Sequence, residues 1–262
     1  MVRQIFTIMC LEMRLSIKEM LRYKISVLSD FIVFTLLYIG IFFMDFSSGF
    51  MDYYLIDESS SKLLILVGYI FWQMNSLAIG CTATGIRSDA LRGILEMRMQ
   101  SKFPVPLLLG AQLIVSILFE CITFVGVFIF SCLTLDTNFS DISVIFVAFL
   151  LCAPSVLGSF GIGLILGGVT LIEKSVGQFL FLIQTALLFI SNSLSPTRGL
   201  YGYILPFTYG VEMTRNIYLG QMNSVLSIFA YLLINLIWLS VGIVVFNLLL
   251  QKVRKRASFT SY

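Results

Sequence analysis

The chain has 262 residues, of which 58% are hydrophobic and only 12% are charged, and its formal net charge is +3. Soluble domains carry about 25% charged residues, and a chain of this size cannot enclose 24 Phe, 11 Tyr and 11 Met in one core. These numbers exclude a soluble globule and a disordered chain, give no reason to expect a nucleic-acid partner, and predict an integral membrane protein.

The first 24 residues predict a helix that lies in the membrane interface. Basic residues recur at every fourth position, at Arg14, Lys18 and Arg22, and an apolar stripe occupies another side of the same helix. Such a helix sets its stripe in the acyl boundary and its basic face against anionic headgroups. The alternative is a helix that packs on a protein partner. The stripe consists of Phe6, Met9, Met13, Ile17 and Met20.

Six continuous apolar stretches are each long enough to cross a bilayer core about 30 Å thick. They lack the period-two alternation of barrel strands, so the predicted fold class is an all-α membrane protein with six transmembrane helices. The predicted spans are Ile25–Met44, Leu63–Thr84, Pro106–Leu135, Ile142–Ile172, Val176–Asn192 and Val225–Gln251.

Between spans two and three, the 85–105 segment predicts a short amphipathic helix closed by Pro104 and Pro106. Ser88 or Asp89 is placed to cap its first turn. A plain loop would be rich in Gly, Ser or Pro and would lack this pattern, so we interpret the segment as a docking site for a partner protein. Its apolar face and its charged pair at spacing four are Leu91, Leu95 and Met99, and Arg92 with Glu96.

Two acidic residues fall inside the predicted spans. Glu120 lies near the middle of span three and Asp30 near the end of span one. An acidic side chain at the centre of a span costs about 2.5–3.5 kcal/mol on insertion scales. We interpret both as candidates for a translocation path or a gating contact. The alternatives are structural hydrogen bonding for Glu120 and simple access to water for Asp30.

The 193–224 segment precedes the last span and is apolar, but Pro and Gly interrupt it too often for it to cross the membrane. It predicts a pair of short re-entrant helices that form an external cap, and the alternative is an amphipathic surface loop. The residues expected to build this cap are Pro206, Tyr209, Glu212 and Arg215.

The distribution of positive charge predicts the orientation. Of the 17 Lys and Arg residues, 14 fall before span one, after span six or in the connections after spans two and four. Because basic residues stay in the cytoplasm, both termini are predicted to be cytoplasmic, and no cleavable signal peptide is expected. The chain divides into seven parts: an interfacial helix (1–24), spans one and two (25–84), a docking segment (85–105), spans three to five (106–192), an external segment (193–224), span six (225–251) and a tail (252–262).

Two stretches carry a resemblance to ABC-2 type permeases, the membrane subunits of ATP-driven exporters. Arg92-Gly93-Ile94-Leu95-Glu96, followed by two prolines, resembles the family's RGTLE…SP coupling region. The stretch from Leu205 to Glu212, followed by Arg215, resembles the family's NPLTYGVELLR stretch. Ile94 stands where the family has Thr, and Leu205 where it has Asn. The order of interfacial helix, coupling helix and external re-entrant helices is also similar over the whole chain.

The resemblance implies a single permease domain, residues 1–262, in a bacterial plasma membrane. Such a permease binds an ABC-type ATPase subunit, which carries ATP and Mg, and it works with a second permease copy, identical or not. It implies coupling contacts at Leu91, Arg92, Leu95 and Glu96. Glu173, in the turn after span four, is a candidate for a second contact, and the alternative is a solvated turn residue. No Gly-x-x-x-x-Gly-Lys-Ser/Thr loop occurs in this chain, so the ATPase is expected on another polypeptide.

The chain contains no His, and its five Cys are widely spaced, so the sequence predicts no catalytic residue, no metal site and no cofactor of its own. A membrane-embedded hydrolase is therefore disfavoured. The expected substrate is amphipathic: a drug, an antimicrobial peptide or a lipid-like molecule. The alternatives are a lipid-linked glycan exporter of the same class, or an ion-coupled carrier or channel.

Overall fold

The computed structural model describes residues 2–44, 47–134, 142–173, 177–194, 196 and 200–256. It confirms the all-α prediction, since helices dominate these residues and none of them forms a strand. The helices are α1 (Val2–Arg22), α2 (Lys24–Phe43), α3 (Ser47–Tyr54), α4 (Glu58–Leu91), α5 (Leu95–Met99), α6 (Val105–Thr134), α7 (Ile142–Glu173), α8 (Gly177–Ile190), a 3₁₀ turn (Leu200–Ile204), α9 (Thr208–Tyr218) and α10 (Val225–Arg256).

Three helices are long and apolar enough to cross a membrane. They correspond to predicted spans two, four and six and cover Glu58–Leu91, Ser143–Glu173 and Val225–Arg254. The other predicted spans coincide with α2, α6 and α8, whose described apolar parts are shorter: Phe31–Ile41, Val105–Cys121 and Gly177–Ile190. The molecule therefore has the character of a transmembrane protein, and the number of six spans stays a prediction.

Helix α4 forms the centre of the molecule. Its most apolar stretch is 94% buried inside the protein, whereas that of α10 is only 17% buried. Helices α3, α6, α7, α8 and α9 all pack against α4. An apolar run this long is thus enclosed by other helices, while α10 exposes most of its surface, as expected for a helix that faces lipid.

Helices α4, α7 and α10 run in the same direction. Gly163 of α7 lies beside Ala78 of α4, and Gly167, further along α7, lies beside Ile86, further along α4. Contacts between α7 and α10 also advance together along both helices, so α10 is parallel to α7. Helix α6 runs the opposite way along α4, because Glu120 meets Gln73 while Gln112 meets Gly85; α8 is also antiparallel to α4, as shown by Gln184 and Leu180.

Helices α7 and α10 cross at two glycines. A Cβ atom added to Gly242 would lie 2.2 Å from the carbonyl oxygen of Gly161, and one added to Gly161 would lie 2.2 Å from the carbonyl oxygen of Trp238. Such distances leave no room for any side chain, so the two backbones touch directly. Small residues at the crossing are the usual basis for close helix packing in membranes.

A tyrosine of α10 forms hydrogen bonds with the backbone of α7 next to Pro154. In a regular helix, the Ser155 N–H would bond to the Leu151 carbonyl. Here the Ser155 N–H donates to the Tyr231 hydroxyl at 3.2 Å, and that hydroxyl donates to the Leu151 carbonyl. The side chain is therefore inserted into the hydrogen-bond ladder of α7 one residue after its proline, a known way to tolerate Pro in a membrane helix.

Helix α1 packs mainly on α6 and less extensively on α2. Of its predicted stripe, Met9, Met13 and Met20 are half-buried, whereas Phe6 and Ile17 are exposed. The basic residues Arg14, Lys18 and Arg22 are exposed, as predicted. The helix thus contacts the protein along one side, and its placement in a membrane interface stays a prediction.

Candidate functional site

The predicted start of the amphipathic helix in the 85–105 segment is wrong. Helix α4 continues without a break to Leu91, so Ser88 and Asp89 lie inside it and cap nothing. The chain first turns at Gly93, whose φ of +71° suits glycine, and a separate helix covers only Leu95–Met99. No Pro precedes Gly93 in this segment, and Gly85 is accommodated inside α4, so the helix continues this far.

The turn at Gly93 also changes which residues share a face. Leu95 and Met99 are buried against the protein, whereas Leu91 is 74% exposed. Leu95 is therefore not available to a partner. The exposed surface next to the turn, here called the turn surface, consists instead of Leu91, Glu96 and Met97, the last of which is 72% exposed.

Two acidic residues of α1 hold the 85–105 segment in place. Arg98 lies between Glu12 of α1 and Asp89 of α4, and its guanidinium is 2.8 Å from Asp89 Oδ2. Both acids are at least nine-tenths buried. Glu19, two turns further along α1, pairs with Arg92, so the predicted pairing of Arg92 with Glu96 is wrong. Five charged side chains thus fix the segment: Arg98, Glu12 and Asp89 through buried contacts, and Arg92 with Glu19 at its edge.

The outer pair, Glu19 with Arg92, responds to acid. The hydrogen bond from Arg92 holds the pKa of the Glu19 carboxyl below its usual value, because it favours the charged form. The stabilising effect of this pair is therefore present at neutral pH and is lost as the pH falls through the folded-state pKa.

The same end of the bundle includes the ends of α7 and α10. Arg254 of α10 donates to the Met99 carbonyl, and Glu173, the last described residue of α7, is exposed. Glu173 therefore lies on the end that carries the turn surface, because α7 runs parallel to α4.

At the opposite end, the chain between α8 and α10 folds into a hairpin formed by the 3₁₀ turn and α9. Its bend reaches far down the neighbouring helices: Trp238 Nε1 donates to the Ile204 carbonyl at 2.9 Å, and Asn235 Nδ2 donates to the Pro206 carbonyl at 3.0 Å. Trp238 lies about 20 Å below the start of α10, at 1.5 Å per residue. The hairpin then returns along α4.

Arg215 of α9 is completely buried and joins four parts of the fold. Its guanidinium donates to the carbonyl oxygens of Leu64 at 3.1 Å, Asn192 at 2.6 Å and Ser193 at 2.8 Å. It also lies over the Phe50 ring of α3, 4.7 Å from the centroid. Arg215 therefore pins the hairpin to α3, α4 and the end of α8.

Two local backbone features make the contacts of Arg215 possible. Asn192 has φ of 63°, a left-handed conformation that Asn tolerates, and it ends the turn that follows α8. A Cβ atom on Gly68 would lie 2.1 Å from the Ser193 oxygen and 2.6 Å from Arg215 Nη2. The absence of a side chain at position 68 is thus a condition for the Arg215 contacts.

The other predicted cap residues belong to the same hairpin. Pro206 is buried at its bend, and Tyr209 is half-buried with its ring 4.9 Å from that of Tyr203. Glu212 is half-buried on α9, one turn before Arg215. The four residues predicted to form the cap therefore lie on one structural unit.

Of the two predicted intramembrane acids, Glu120 is 6% exposed and accepts a hydrogen bond from Gln73 Nε2 of α4. The side chain of Asp30 lies outside the described residues. A second buried polar cluster joins α4 and α7, where Ser159 Oγ donates to Asn75 Oδ1 at 2.7 Å and Asn75 Nδ2 donates to Ser155 Oγ at 3.1 Å.

The sequence reasoning missed the acids of α1 and the buried polar cluster. Glu12 and Glu19 are seven residues apart, so they share one face of a helix, and this spacing was a usable signal. No comparable signal marked Asn75, Ser155 and Ser159, because they contact one another across two helices.

The described part of the chain contains no group of three or more His, Cys, Asp and Glu side chains that could hold a metal ion. The all-helical fold and its apolar helices of spanning length are consistent with a membrane protein. Comparison of the sequence with known protein families and with curated proteins gives no match.

Proposed function

We propose that this chain is the permease subunit of an ABC-2 type exporter in a bacterial plasma membrane, with both termini in the cytoplasm. In this proposal an ABC-type ATPase on a separate polypeptide binds ATP and Mg and docks at the turn surface. A second permease copy completes the transporter. The cargo is an amphipathic molecule: a drug, an antimicrobial peptide or a lipid-like molecule.

The observation that carries the proposal is the construction of the 85–105 segment. Two apolar side chains and one acid, Leu91, Met97 and Glu96, are exposed together at a turn. Exposed apolar residues beside a charge are typical of a protein contact. The buried ion pairs of Arg98 fix the segment behind that surface, so a force applied there passes to α1 and α4 instead of bending a loop.

The directions of the helices support six crossings. If α4, α7 and α10 each cross the membrane in the same sense, the chain must return between α4 and α7, and again between α7 and α10. Helices α6 and α8 run opposite to α4 and occupy these two positions in the chain. With α2 before them, six crossings result, which agrees with the charge distribution.

The hairpin supports the re-entrant cap. Its bend contacts Asn235 and Trp238, near the middle of predicted span six, and Gly210 of α9 lies against Phe71, near the middle of predicted span two. At the far end of the hairpin, the Tyr218 hydroxyl donates to Ser60 Oγ at 3.2 Å. Two independent helices thus support a cap that descends to about the centre of the membrane.

Charge reversal at the turn surface tests the proposal. We expect Glu96→Arg, and separately Met97→Asp, to lower the ATP turnover of the assembled complex at least about tenfold, since surface anchors of a docking site each contribute about 2 kcal/mol. Both side chains are exposed, so the variants should insert and fold normally. The measurement is copurification with candidate ATPase subunits, followed by ATP hydrolysis in vesicles.

Asp52→Arg is the matched control, because Asp52 is an exposed acid on α3 at the opposite end. It should leave binding and turnover unchanged. Wild-type binding and turnover in both turn-surface variants would remove this surface from the docking role. Full transport by the purified chain alone in vesicles, without a nucleotide-hydrolysing companion, would instead favour the ion-coupled carrier or channel.

Cysteine labelling tests the orientation. In a chain from which the native cysteines have been removed, Met222→Cys should react with a membrane-impermeant maleimide in intact cells, and Met97→Cys only after permeabilisation. Both native side chains are highly exposed, with Met222 at 100%. Ser193 is unsuitable as a probe because it is completely buried. Labelling of both positions from the same side contradicts the proposed topology.

A further inference from the structure

Helix α9 leaves one narrow face partly uncovered. Tyr209 and Glu212 lie three residues apart, so they share a side of the helix, and both are half-buried. The residues between and beside them, Gly210, Val211 and Met213, are buried. An aromatic ring and a carboxylate are thus presented side by side at the surface of the hairpin.

The 3₁₀ turn places a second aromatic ring at this face. The ring of Tyr203 lies 4.9 Å from that of Tyr209 at an interplanar angle of 51°, so the two rings form a wedge and not a flat stack. The Tyr203 hydroxyl is within hydrogen-bonding reach of the Glu212 carboxylate. Tyr53 of α3 also lies close to Tyr203, and it is 44% exposed. Aromatic rings and one carboxylate therefore converge where the hairpin meets α3.

No ion pair neutralises Glu212. Among the residues that the structure describes, no Lys or Arg forms a salt bridge with its carboxylate. Arg215, one turn further along α9, acts on Glu212 electrostatically, but its guanidinium donates to the buried carbonyl oxygens of residues 64, 192 and 193. Arg215 is also completely buried, so it offers no surface to a ligand. A cation that approaches this face thus meets the aromatic rings and the carboxylate.

This combination is complementary to an organic cation. The face of a tyrosine ring attracts a cation that lies within about 6 Å of the ring centroid, and the attraction grows when the cation is desolvated. The alkyl substituents of an ammonium group pack on such rings, and a carboxylate balances its charge. A divalent metal ion would need several oxygen ligands, and the described part of the chain has no group of three or more metal-binding side chains.

We propose that Tyr203, Tyr209 and Glu212 form a binding site for an organic ammonium group. The ammonium group lies against the two rings with its charge opposite Glu212, and the apolar body of the ligand lies along Ile204, which is 63% exposed. The site narrows the amphipathic cargo to a cationic molecule, a step that rests on the proposed exporter function. Binding itself does not require the ATPase.

Isothermal titration calorimetry with benzyltrimethylammonium tests the site on the purified full-length chain in maltoside, a detergent with an uncharged headgroup. We expect saturable binding that Glu212→Gln weakens at least about tenfold, because this change removes the charge opposite the ligand and keeps the side-chain shape. Tyr209→Leu should weaken binding about three- to thirtyfold, since a contact between the cation and a ring is lost. Tyr209→Phe keeps the ring and should bind like the wild type.

Asp52→Asn is the matched control, because Asp52 is an exposed acid on α3 at the same end of the molecule, and it should leave the affinity unchanged. Absence of saturable binding by the wild type overturns the proposal. Wild-type affinity in Glu212→Gln, or in Tyr209→Leu, does the same. Glu212→Gln conserves side-chain volume, so it decides the test if Tyr209→Leu fails to fold.

Two sources of the ammonium group are separated by adding phosphatidylethanolamine to the micelles. Displacement of the probe indicates a lipid headgroup and undiminished binding indicates a soluble cargo, and both results support the site. The titration contains no ATPase, so a failure to bind removes the cation site and leaves the exporter proposal standing. Wild-type ATP turnover in both turn-surface variants has the opposite meaning, because it contradicts the docking role and not the cation site.

Discussion

Replacing Arg215 with Met is expected to destabilise the protein by at least about 3 kcal/mol, because it leaves buried carbonyl oxygens without donors. Those of Asn192 and Ser193 lose their contacts with the guanidinium, and the Leu64 carbonyl loses one of its donors. Met fills much of the volume, so the loss comes mainly from polar groups. The measurement is thermal or denaturant unfolding in detergent, monitored by tryptophan fluorescence.

Two further variants make the Arg215 prediction specific. Gly68→Ala should reproduce much of the destabilisation without touching the arginine, since the added Cβ would collide with the Ser193 oxygen and with the guanidinium. Arg14→Met makes the same substitution at an exposed position of α1 and should change stability by less than about 0.5 kcal/mol. Equal stability of Arg215→Met and Arg14→Met would show that the buried contacts contribute nothing.

Replacing Gly242 with Ala is expected to destabilise the contact between α7 and α10 by about 1–3 kcal/mol or more, the usual cost of overpacking. The added methyl would lie 2.2 Å from the Gly161 carbonyl oxygen and 2.5 Å from its Cα. These are backbone atoms, which cannot rotate aside as a side chain would, so the helices must separate. Denaturant unfolding in detergent measures the effect.

The control for Gly242 is Gly40→Ala on α2, where no atom lies within 4 Å of the added Cβ. Alanine is the better helix former by about 1 kcal/mol, so this variant should be neutral or slightly more stable. The same Gly→Ala substitution should thus lower the free energy of unfolding at position 242 and leave it unchanged or raise it at position 40. A Gly242→Ala protein as stable as the Gly40→Ala protein is incompatible with direct backbone contact at the crossing.

The positions of the long helices could be predicted from the sequence because each follows from a continuous apolar run. Predicted span six, Val225–Gln251, and helix α10, Val225–Arg256, begin at the same residue. Their different surroundings could not be predicted, because α4 and α10 are both strongly apolar. Which of them is enclosed depends on contacts between segments far apart in the chain. Helix α3 was missed because its eight residues include Gly49 and two Ser.

The candidate docking site was predicted only in part. The sequence located the 85–105 segment and its apolar and charged residues, but periodicity assumes an unbroken helix. One left-handed residue, Gly93, rotates Leu95 inwards and leaves Leu91 outside. Likewise, Arg215 was assigned to the external segment, but its burial depends on carbonyl groups of residues 64, 192 and 193, which no local pattern reveals.

The insertion of Tyr231 into the backbone of α7 restricts how the molecule can change shape. If α10 slid along α7 by one turn, the Tyr231 hydroxyl would lose both of its contacts with the α7 backbone, and the touching glycines would no longer face each other. A buried hydroxyl without a partner is costly in lipid, and side chains larger than Gly would meet at the crossing. We therefore expect α7 and α10 to move together as a rigid body, leaving displacement to the interfaces with α2, α6 and α8.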